Sequence, residues 1–357
     1  IARGAKVVLQ PAPNYRHCTD PDDAIQLTDG RTTKDYFWTQ KGTVGWSSVS
    51  YAVITVDLGQ IEPISGVAFT TAAGVANVTW PCAVQVLTSD DGKVFYNAGD
   101  LVALDRNAHG PLPEGYAIRR LVTGQLSTHG RYVRFVAIPP AGGPYLFVDE
   151  VEVFRGPETL LSQSPQGKPI ENVANLFVQW RSRSALAHRF QSDADALEAQ
   201  LRGAALASET RRTELLERLD QVRKAWDPAA VAVDQSFRAV LPLNDLHAEL
   251  FRIQAALWKA MGQASLVAQA ICPWDPLDPV APPAGSGGPV EVHTMRGEYR
   301  AGAINLYNSA DAPMQVQLQI EGLPQPPVPA YVTVYEVDWT DTSRGVPVAS
   351  ALMEVPY

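Results

Sequence analysis

The stretch Val148–Phe154, with the sequence VDEVEVF, decides the fold of the first part of this chain. Its apolar residues alternate with charged ones, which is the pattern of a half-buried β-strand. Asp149 and Glu150 stand at the entrance to that strand. Leu27–Gly30, about 120 residues earlier, ends in an Asp-Gly pair and precedes a loop rich in aromatic residues. Asp-Gly favours a turn because glycine adopts positive φ without steric cost. The two stretches predict a closing strand with carboxylates at its entrance, and a distant turn.

Short apolar runs recur between turn signals in the same part of the chain. They predict strands over Ala52–Leu58, Gly66–Thr71, Ala83–Thr88, Arg131–Ile138 and Phe147–Phe154. The tetrapeptide SDDG at residues 89–92 predicts a hairpin turn, because Asp-Gly accommodates positive φ. Several short strands at such spacing favour a sandwich or a barrel, so we expect residues 5–156 to be all-β.

Several short motifs follow one another in a family-specific order. They are LTDG at Leu27–Gly30, ITVDLG at Ile54–Gly59, VQVLTSDDG at Val84–Gly92, GRYVRF at Gly130–Phe135 and VDEVEVF at Val148–Phe154. This order resembles the discoidin-like domain, also called the coagulation factor V/VIII type C domain, whose bacterial relatives include the family 32 carbohydrate-binding modules. The resemblance implies a β-sandwich of the galactose-binding-like jelly-roll type that binds a ligand rather than performs chemistry. It also aligns Trp46 with the family's buried tryptophan.

The same resemblance implies a structural calcium site. Discoidin-like sugar-binding modules often hold one calcium ion, and its ligands carry over to Asp29, to Thr32 or Thr33, and to Glu150. Calcium suits such a set because it binds about six to eight oxygens from carboxylates and carbonyls. Arg31 stands where an acidic or amide residue is usual, which argues against a full ligand set. The alternative is an Asp turn and a strand-end glutamate paired to an arginine.

Aromatic residues on the predicted loops are the candidates for binding sugar, because a ring can cover the apolar face of a sugar. Trp38 lies in what resembles an insertion, and we expect it to be an exposed ring. Trp80 is either a ligand platform or a lid on the sheet edge. Tyr145 lies on another loop, at the entry to the last strand. Arg119, Arg120 and Arg31 are candidates for hydrogen bonds to sugar hydroxyls. For Arg119 and Arg120 the alternative is that they are solvated.

From about residue 171 the apolar period becomes helical. Helices are predicted over Glu171–Arg183 and Leu186–Leu206. Ser208 and Asn244 are predicted N-caps of two further helices, and Gly262 suits the position that follows the second. Residues 157–263 are therefore expected to form an antiparallel α-helical bundle that acts as a spacer.

After Gly262 the pattern becomes strand-like again. Strands are predicted over Val290–Met295, Ala301–Tyr307, Met314–Ile320 and Val332–Trp339. The runs GEYRA at 297–301 and NLYNS at 305–309 resemble a β-sandwich found ahead of the catalytic barrel in large bacterial glycoside hydrolases. Residues 264–357 are thus expected to form a second β-sandwich. A (β/α)₈ barrel needs about 250 residues, so a covalently linked catalytic domain is expected outside this sequence.

The composition narrows the classes of partner. The 357 residues carry 38 acidic and 29 basic side chains, a net charge of −9. This balance argues against nonspecific binding to nucleic acid or to an anionic membrane. No apolar run approaches the roughly 20 residues of a membrane span. The odd cysteine set Cys18, Cys82 and Cys272 leaves free thiols and a Cys18–Cys82 bridge as alternatives.

No catalytic motif is recognisable, and no catalytic residue is assigned. The 6 histidines lack metal-ligand spacing, and Walker, Gly-x-Ser-x-Gly and Gly-x-Gly-x-x-Gly motifs are absent from the sequence. The sequence therefore predicts a multidomain, noncatalytic portion of a large carbohydrate-active protein that is secreted, periplasmic or at the cell surface. Its partner would be a polysaccharide or glycan. The alternatives are a glycoside hydrolase-type enzyme with a cleft between domains and a protein-adhesion or assembly module.

Overall fold

The computed structural model describes residues 1–140, 143–228, 230–231, 237, 240–276, 278–283, 287–319, 321, 331–341 and 347–355. It divides into two compact units, unit 1 (Ile1–Val178) and unit 2 (Gln179–Tyr357). The three predicted domains, with boundaries after residues 156 and 263, stay predictions.

Unit 1 is built from short strands with two helices among them. Its helices are α1 (Asp23–Gln26) and α2 (Leu101–His109), and 3₁₀ turns cover Phe37–Thr39 and Glu158–Ser162. Its strands are β1 (Lys6–Gln10), β2 (Val44–Ser47), β3 (Ala52–Ala73), β4 (Ala83–Ser89), β5 (Phe95–Asp100), β6 (Ala117–Thr123), β7 (Thr128–Ile138), β8 (Tyr145–Val148), β9 (Val151–Arg155) and β10 (Lys168–Ile170).

The long strand β3 takes part in two antiparallel layers. Its first half lies between β1 and β7, and β4, β5 and β10 extend this first layer beyond β7. The register shifts between Asp57 and Glu62, after which the second half of β3 pairs with β9 and β6. A strand that switches layers at an irregularity forms the corner of a sandwich. Phe69 of the second layer meets Phe135 of the first at a ring-centroid distance of 6.0 Å, so the two layers enclose one core.

The structure corrects the predicted strand pattern. The strands expected at Ala52–Leu58 and Gly66–Thr71 are the two halves of β3. The expected all-β content is wrong at Leu101–His109, because this apolar-polar run forms α2. Asp100 caps that helix by accepting the N–H of Val102 at 3.1 Å.

The predicted closing strand Phe147–Phe154 is interrupted. It splits into β8 and β9, and Asp149 and Glu150 occupy the break. The backbone at the break is still held to β3, since Asp149 N–H donates to the Thr70 carbonyl at 3.0 Å and Thr70 N–H donates to the Glu150 carbonyl at 2.9 Å. The interruption matters for function because it places two neighbouring carboxylates between the strands.

The helix α3 (Val173–Gly203) begins in unit 1 and continues into unit 2, where α4 (Glu209–Ala225) and α5 (Asp245–Ala260) follow. The two helices expected between residues 171 and 206 are thus a single helix. Ser208 and Asn244 cap α4 and α5 as predicted, by accepting the N–H groups of Arg211 and His247. The three helices share one buried apolar cluster. The antiparallel bundle as a whole stays a prediction.

The described strands of unit 2 form two-stranded sheets. Strand β11 (Leu266–Ile271) pairs with β12 (Ala303–Asn308), and β13 (Tyr335–Asp341) pairs with β14 (Pro347–Glu354). The strand predicted at Val290–Met295 is wrong, and residues 314–319 are not a strand either. Ile320 lies outside the described residues. The second β-sandwich therefore stays a prediction.

Two further features concern the cysteines and the hydrophobicity of the helices. All three cysteines are free, so Cys18 and Cys82 do not form a bridge. Among the helices that the structure describes, none has the length and hydrophobicity needed to cross a membrane.

Candidate functional site

The Asp29 turn, defined as Asp29–Thr33, lies against the break between β8 and β9. Gly30 has a φ of 79°, a left-handed backbone that favours glycine, and its N–H donates to Glu150 Oε1 at 3.1 Å. Thr33 donates twice to Asp149, from its N–H at 2.7 Å and from its hydroxyl at 3.0 Å. The structure therefore brings the turn and the two carboxylates together, as the family resemblance implied.

Glu150 is a buried carboxyl group with one oxygen that the protein leaves without a partner. It is 5% exposed, and its Oε2 atom has no hydrogen-bond partner. Burial, with smaller contributions from the negative charges of Asp29 and Asp149, raises the pKa of Glu150 to about 8. Burial also raises the pKa of Asp149. No arginine among the described residues pairs with Glu150, so the alternative of a glutamate–arginine pair does not apply.

These residues fit a hard cation such as calcium. A cation beside Glu150 would satisfy the orphaned Oε2 atom and offset the repulsion from Asp29, and carboxylates are its preferred ligands. Within the described ranges, no group of three or more His, Cys, Asp or Glu is arranged as a metal cluster. A calcium ion at the Asp29 turn would therefore draw its other oxygens from backbone carbonyls.

Two residues of the Asp29 turn face solvent: Arg31, a predicted sugar-binding residue, and Thr32, the alternative to Thr33 as a calcium ligand. The Arg31 side chain is 90% exposed, with Nε 4.0 Å from Asp29 Oδ2. The backbone N–H of Arg31 donates to Asp29 Oδ1 at 2.7 Å, which closes the turn. Thr32 is also exposed. Asp149, which the sequence analysis left unassigned, is the partner of Thr33, and its position next to Glu150 was the available signal.

Aromatic rings from five chain segments meet at one end of the sandwich. We name this surface the aromatic end and define it by Tyr15, Tyr36, Trp80, Tyr116 and Tyr145. Tyr36 is 54% exposed, and the other four rings are half-buried. All but Tyr36 pack on one buried cluster, and Tyr36 stacks on Tyr116. Trp80 and Tyr145 thus pack against the same buried cluster.

Tyr36 and Tyr116 form the most exposed part of the aromatic end. Their rings stack with centroids 4.8 Å apart and planes inclined by 27°. The Tyr116 hydroxyl donates to the Asp35 carbonyl at 2.8 Å and accepts the Phe37 N–H at 3.2 Å. The two hydrogen bonds fix the loop that carries Tyr36 against the segment that carries Tyr116. Neither ring was assigned a role from the sequence.

The loop that carries Trp80 is fixed in a similar way. Trp80 Nε1 donates to the Pro113 carbonyl at 3.0 Å. Gly74 has a φ of 107°, and a Cβ at that position would lie 1.7 Å from the Gly115 carbonyl oxygen. Only glycine permits this close approach of two backbones. The loops before β4 and before β6 are therefore held together, which sets Trp80 near Tyr116.

Polar groups stand beside these rings. Ala76 and Asn77 adopt left-handed φ values of 54° and 60°, a strained conformation that is concentrated at functional loops. Asn77 and Thr79 are exposed. A Cβ on Gly143 would lie 3.1 Å from Thr79 Oγ1, so Thr79 is next to the segment that leads to Tyr145. An amide and a hydroxyl are thus available near the aromatic end.

The expectation that Trp38 is an exposed ring is wrong. Trp38 is 7% exposed and lies against Tyr116 and Phe147, at ring-centroid distances of 5.4 and 5.8 Å. The 3₁₀ turn Phe37–Thr39 brings Phe37 and Trp38 together into one buried cluster, against which Tyr116 and Tyr145 pack. Trp46 is fully buried, which confirms its predicted place in the core, and its Nε1 donates to a backbone carbonyl at 2.8 Å.

Arg119 is neither free nor solvated, so the expectation of a donor available to sugar is wrong. It donates from Nε at 2.9 Å and from an amino group at 2.6 Å to Asp105 Oδ2. Asp105 is fully buried and also accepts the Val122 N–H at 3.1 Å, while His109 lies 2.9 Å from its other oxygen. Arg119 is therefore the counter-ion of a buried carboxylate on α2.

Comparison with known proteins gives matches among solved structures alone. No protein-family model matches the chain, and a search of curated proteins finds no match. The family 32 carbohydrate-binding module of Clostridium perfringens NanJ, solved with galactose, is 14% identical, covers 41% of this chain and 92% of its own length, and has a TM-score of 0.28. Chitosan-binding module 2 of a Paenibacillus chitosanase/glucanase, solved with chitotriose, is 14% identical over 43% of this chain and 98% of its own, with a TM-score of 0.28.

A third match is the lectin domain of lectinolysin, solved with Lewis B antigen. It is 20% identical, covers 44% of this chain and 96% of its own length, and has a TM-score of 0.28. These matches are carbohydrate-binding modules and a lectin domain, in agreement with the discoidin-like resemblance of the sequence. Identities this low and TM-scores below 0.5 carry no argument about the ligand of this chain.

Proposed function

We propose that unit 1 binds a glycan through the aromatic end. The observation that carries this proposal is the convergence of five rings from five separate chain segments on one surface, with Tyr36 more than half exposed. A soluble domain gains stability by burying rings, so a group of rings left partly open to solvent marks a binding surface. The sandwich supports the loops rigidly while their side chains remain free to meet a ligand.

A sugar matches the chemistry of this surface. Tyrosine and tryptophan combine an apolar ring face with a polar group, which suits a ligand that has C–H faces and hydroxyls. Asn77 and Thr79 supply an amide and a hydroxyl beside Trp80, and such polar groups fix orientation in otherwise apolar sites. Trp38 and Arg119 are not part of the proposed surface, because one is buried and the other is paired.

We also propose that calcium has a structural role at the Asp29 turn. The support is the partnerless Oε2 atom of Glu150 together with two adjacent buried carboxyl groups, Asp149 and Glu150, whose pKa values burial raises. A few residues after the turn, the chain reaches Tyr36. An ion that orders the turn would therefore restrict the loop that carries the most exposed ring of the aromatic end.

The wider setting follows from the sequence resemblances. We propose that the chain is the glycan-binding, noncatalytic part of a carbohydrate-active protein that works outside the cytoplasm. The likeness of residues 264–357 to a sandwich found ahead of catalytic barrels supports a linked catalytic domain. The aromatic end supports the assignment of binding to unit 1.

A glycan array with the full chain, followed by calorimetric titration of the strongest ligand, tests the binding proposal. Tyr36→Ala and Trp80→Ala are each expected to weaken binding by at least about tenfold, which corresponds to roughly 1.4 kcal/mol. Trp274→Ala is the matched control, because this tryptophan is 86% exposed and lies in unit 2. Absence of any glycan ligand, or equal affinity of all three variants, would overturn the proposal.

A further inference from the structure

A groove lies on the outer face of the first layer of the sandwich. Its volume is about 400 Å³, within the range of ligand pockets, and its lining includes Gln10, Ser50, Tyr51, Val53, Arg134 and Val173. Ile54 and Phe135 point into the core, and side chains alternate along a strand. Val53 and Arg134, their direct neighbours, therefore point to the opposite face. The groove shares no residue with the aromatic end.

Arg134 is the one charged side chain among the residues that line this groove. Its Nε donates to Thr55 Oγ1 at 3.0 Å, and its guanidinium carbon lies 3.7 Å from the centroid of the Phe95 ring. No carboxylate in the described part of the chain pairs with it, and burial lowers the pKa of Arg134. Other arginines of the sandwich do have carboxylate partners, namely Arg119, Arg120, Arg131 and Arg155.

An unpaired, half-buried cation creates a preference for an anion. The guanidinium has lost part of its hydration without gaining a counter-charge, and an incoming anion would offset that loss. Thr55 uses the Nε donor, and no hydrogen-bond partner of the two amino groups is found among the described residues. Two guanidinium N–H groups match the two oxygens of a carboxylate or a sulfate in geometry as well as in charge. The contact is local, because the net charge of −9 offers no long-range attraction.

We propose that the groove is a second binding site, selective for a sugar that carries an oxyanion, either a uronic acid carboxylate or a sulfate ester. Arg134 holds the oxyanion. The Tyr51 ring, which Phe177 supports at a centroid distance of 5.1 Å, flanks the sugar ring. Ser50 and Gln10 are exposed at the groove and meet the sugar hydroxyls. This site is independent of the glycan binding proposed at the aromatic end.

Calorimetric titration of the full chain with galacturonic acid, galactose 6-sulfate and neutral galactose tests this proposal. We expect at least one acidic sugar to bind. Arg134→Lys keeps the charge but loses the two-pronged contact of the guanidinium, and it should weaken that binding by at least about tenfold. Arg131→Gln on the same strand removes an equal charge outside the groove and should leave the affinity unchanged. Any binding of neutral galactose should be equal in all three proteins.

Ser50→Glu provides a second test that leaves Arg134 in place. Ser50 is exposed, so the substitution is compatible with the fold, and the new carboxylate would compete with the ligand for the guanidinium. We expect Ser50→Glu to abolish binding of acidic sugars and Ser50→Gln to preserve it. The response to each sugar shows which oxyanion is recognised. Failure of both acidic sugars to bind the unmodified protein, or unchanged affinity in Arg134→Lys and Ser50→Glu, would overturn the proposal.

Discussion

Replacing Arg119 with alanine tests whether this arginine stabilises the fold or binds a ligand. Asp105 is fully buried and has Arg119 as its bidentate partner. Removing one partner of a buried ion pair costs about 3–5 kcal/mol, because the other charge stays buried. The Arg119 side chain is 21% exposed, and His109 and Val122 still contact Asp105 in the variant. Both facts place the expected loss near the lower limit, at about 3 kcal/mol.

The neighbouring residue supplies the matched control. Arg120 pairs with Glu152, but the two side chains are 43% and 35% exposed. Exposed pairs contribute about 0–1 kcal/mol, so Arg120→Ala should be nearly neutral. The difference between the two variants is then about 2 kcal/mol, or roughly a 30-fold change in an equilibrium constant.

Hydrogen exchange measured by mass spectrometry is the suitable assay, because it reports on unit 1 separately from unit 2. A single melting temperature for a chain of two units would mix their transitions. Peptides from β3 and β7 should exchange about 30-fold faster in Arg119→Ala than in Arg120→Ala. Glycan affinity of the folded protein should be equal in both variants. Equal exchange in the two variants, or a loss of affinity in Arg119→Ala with normal exchange, would show that Arg119 faces a ligand instead.

Two further predictions concern calcium and the buried tryptophan. Calcium at about 100 times its dissociation constant should stabilise unit 1 by roughly 2.7 kcal/mol, so hydrogen exchange in peptides from β3 and β7 should slow by about 100-fold. Glu150→Gln should abolish this response and Glu152→Gln should keep it. An equal response of both variants would exclude the Asp29 turn as the calcium site. Trp38→Ala should lower the free energy of unfolding of unit 1 by about 3–5 kcal/mol, as measured by hydrogen exchange, because it leaves a cavity. Tyr36→Ala, at a half-exposed ring, should cause no comparable loss of stability. Similar losses of stability in both variants would contradict the assignment of Trp38 to the interior.

The sequence predicted those parts of the site that depend on local pattern. The Asp-Gly pair at Asp29 marks a turn because of its backbone chemistry, and the alternation in Val148–Phe154 marks a strand beside it. The discoidin-like resemblance joined the two, and the hydrogen bond from Gly30 to Glu150 agrees with that expectation. The two halves of β3 could also be predicted as strands from the sequence. Their continuity could not be predicted, because the register shift in the middle of β3 interrupts the apolar alternation.

The remaining parts depend on contacts between distant segments. In the run Tyr36-Phe37-Trp38, three neighbouring aromatic residues give no local signal for which ring faces water. Their order of burial is set by Tyr116, which lies about 80 residues away and binds the loop through its hydroxyl. Arg119 was misassigned for a related reason, since its partner Asp105 lies on a helix that the strand pattern had hidden. Interaction partners that are distant in sequence can be identified once the topology is known.

The break between β8 and β9 explains why one short stretch serves two features of unit 1. Strand β8 places Tyr145 at the aromatic end and Phe147 in the cluster beneath it. The next two residues leave the strand and bind the Asp29 turn, whose chain continues to Tyr36. Two rings of the proposed binding surface are therefore connected through one pair of carboxylates. A loop that is ordered before a ligand arrives loses less conformational entropy on binding. Ordering of the Asp29 turn therefore bears on glycan affinity as well as on the stability of the sandwich.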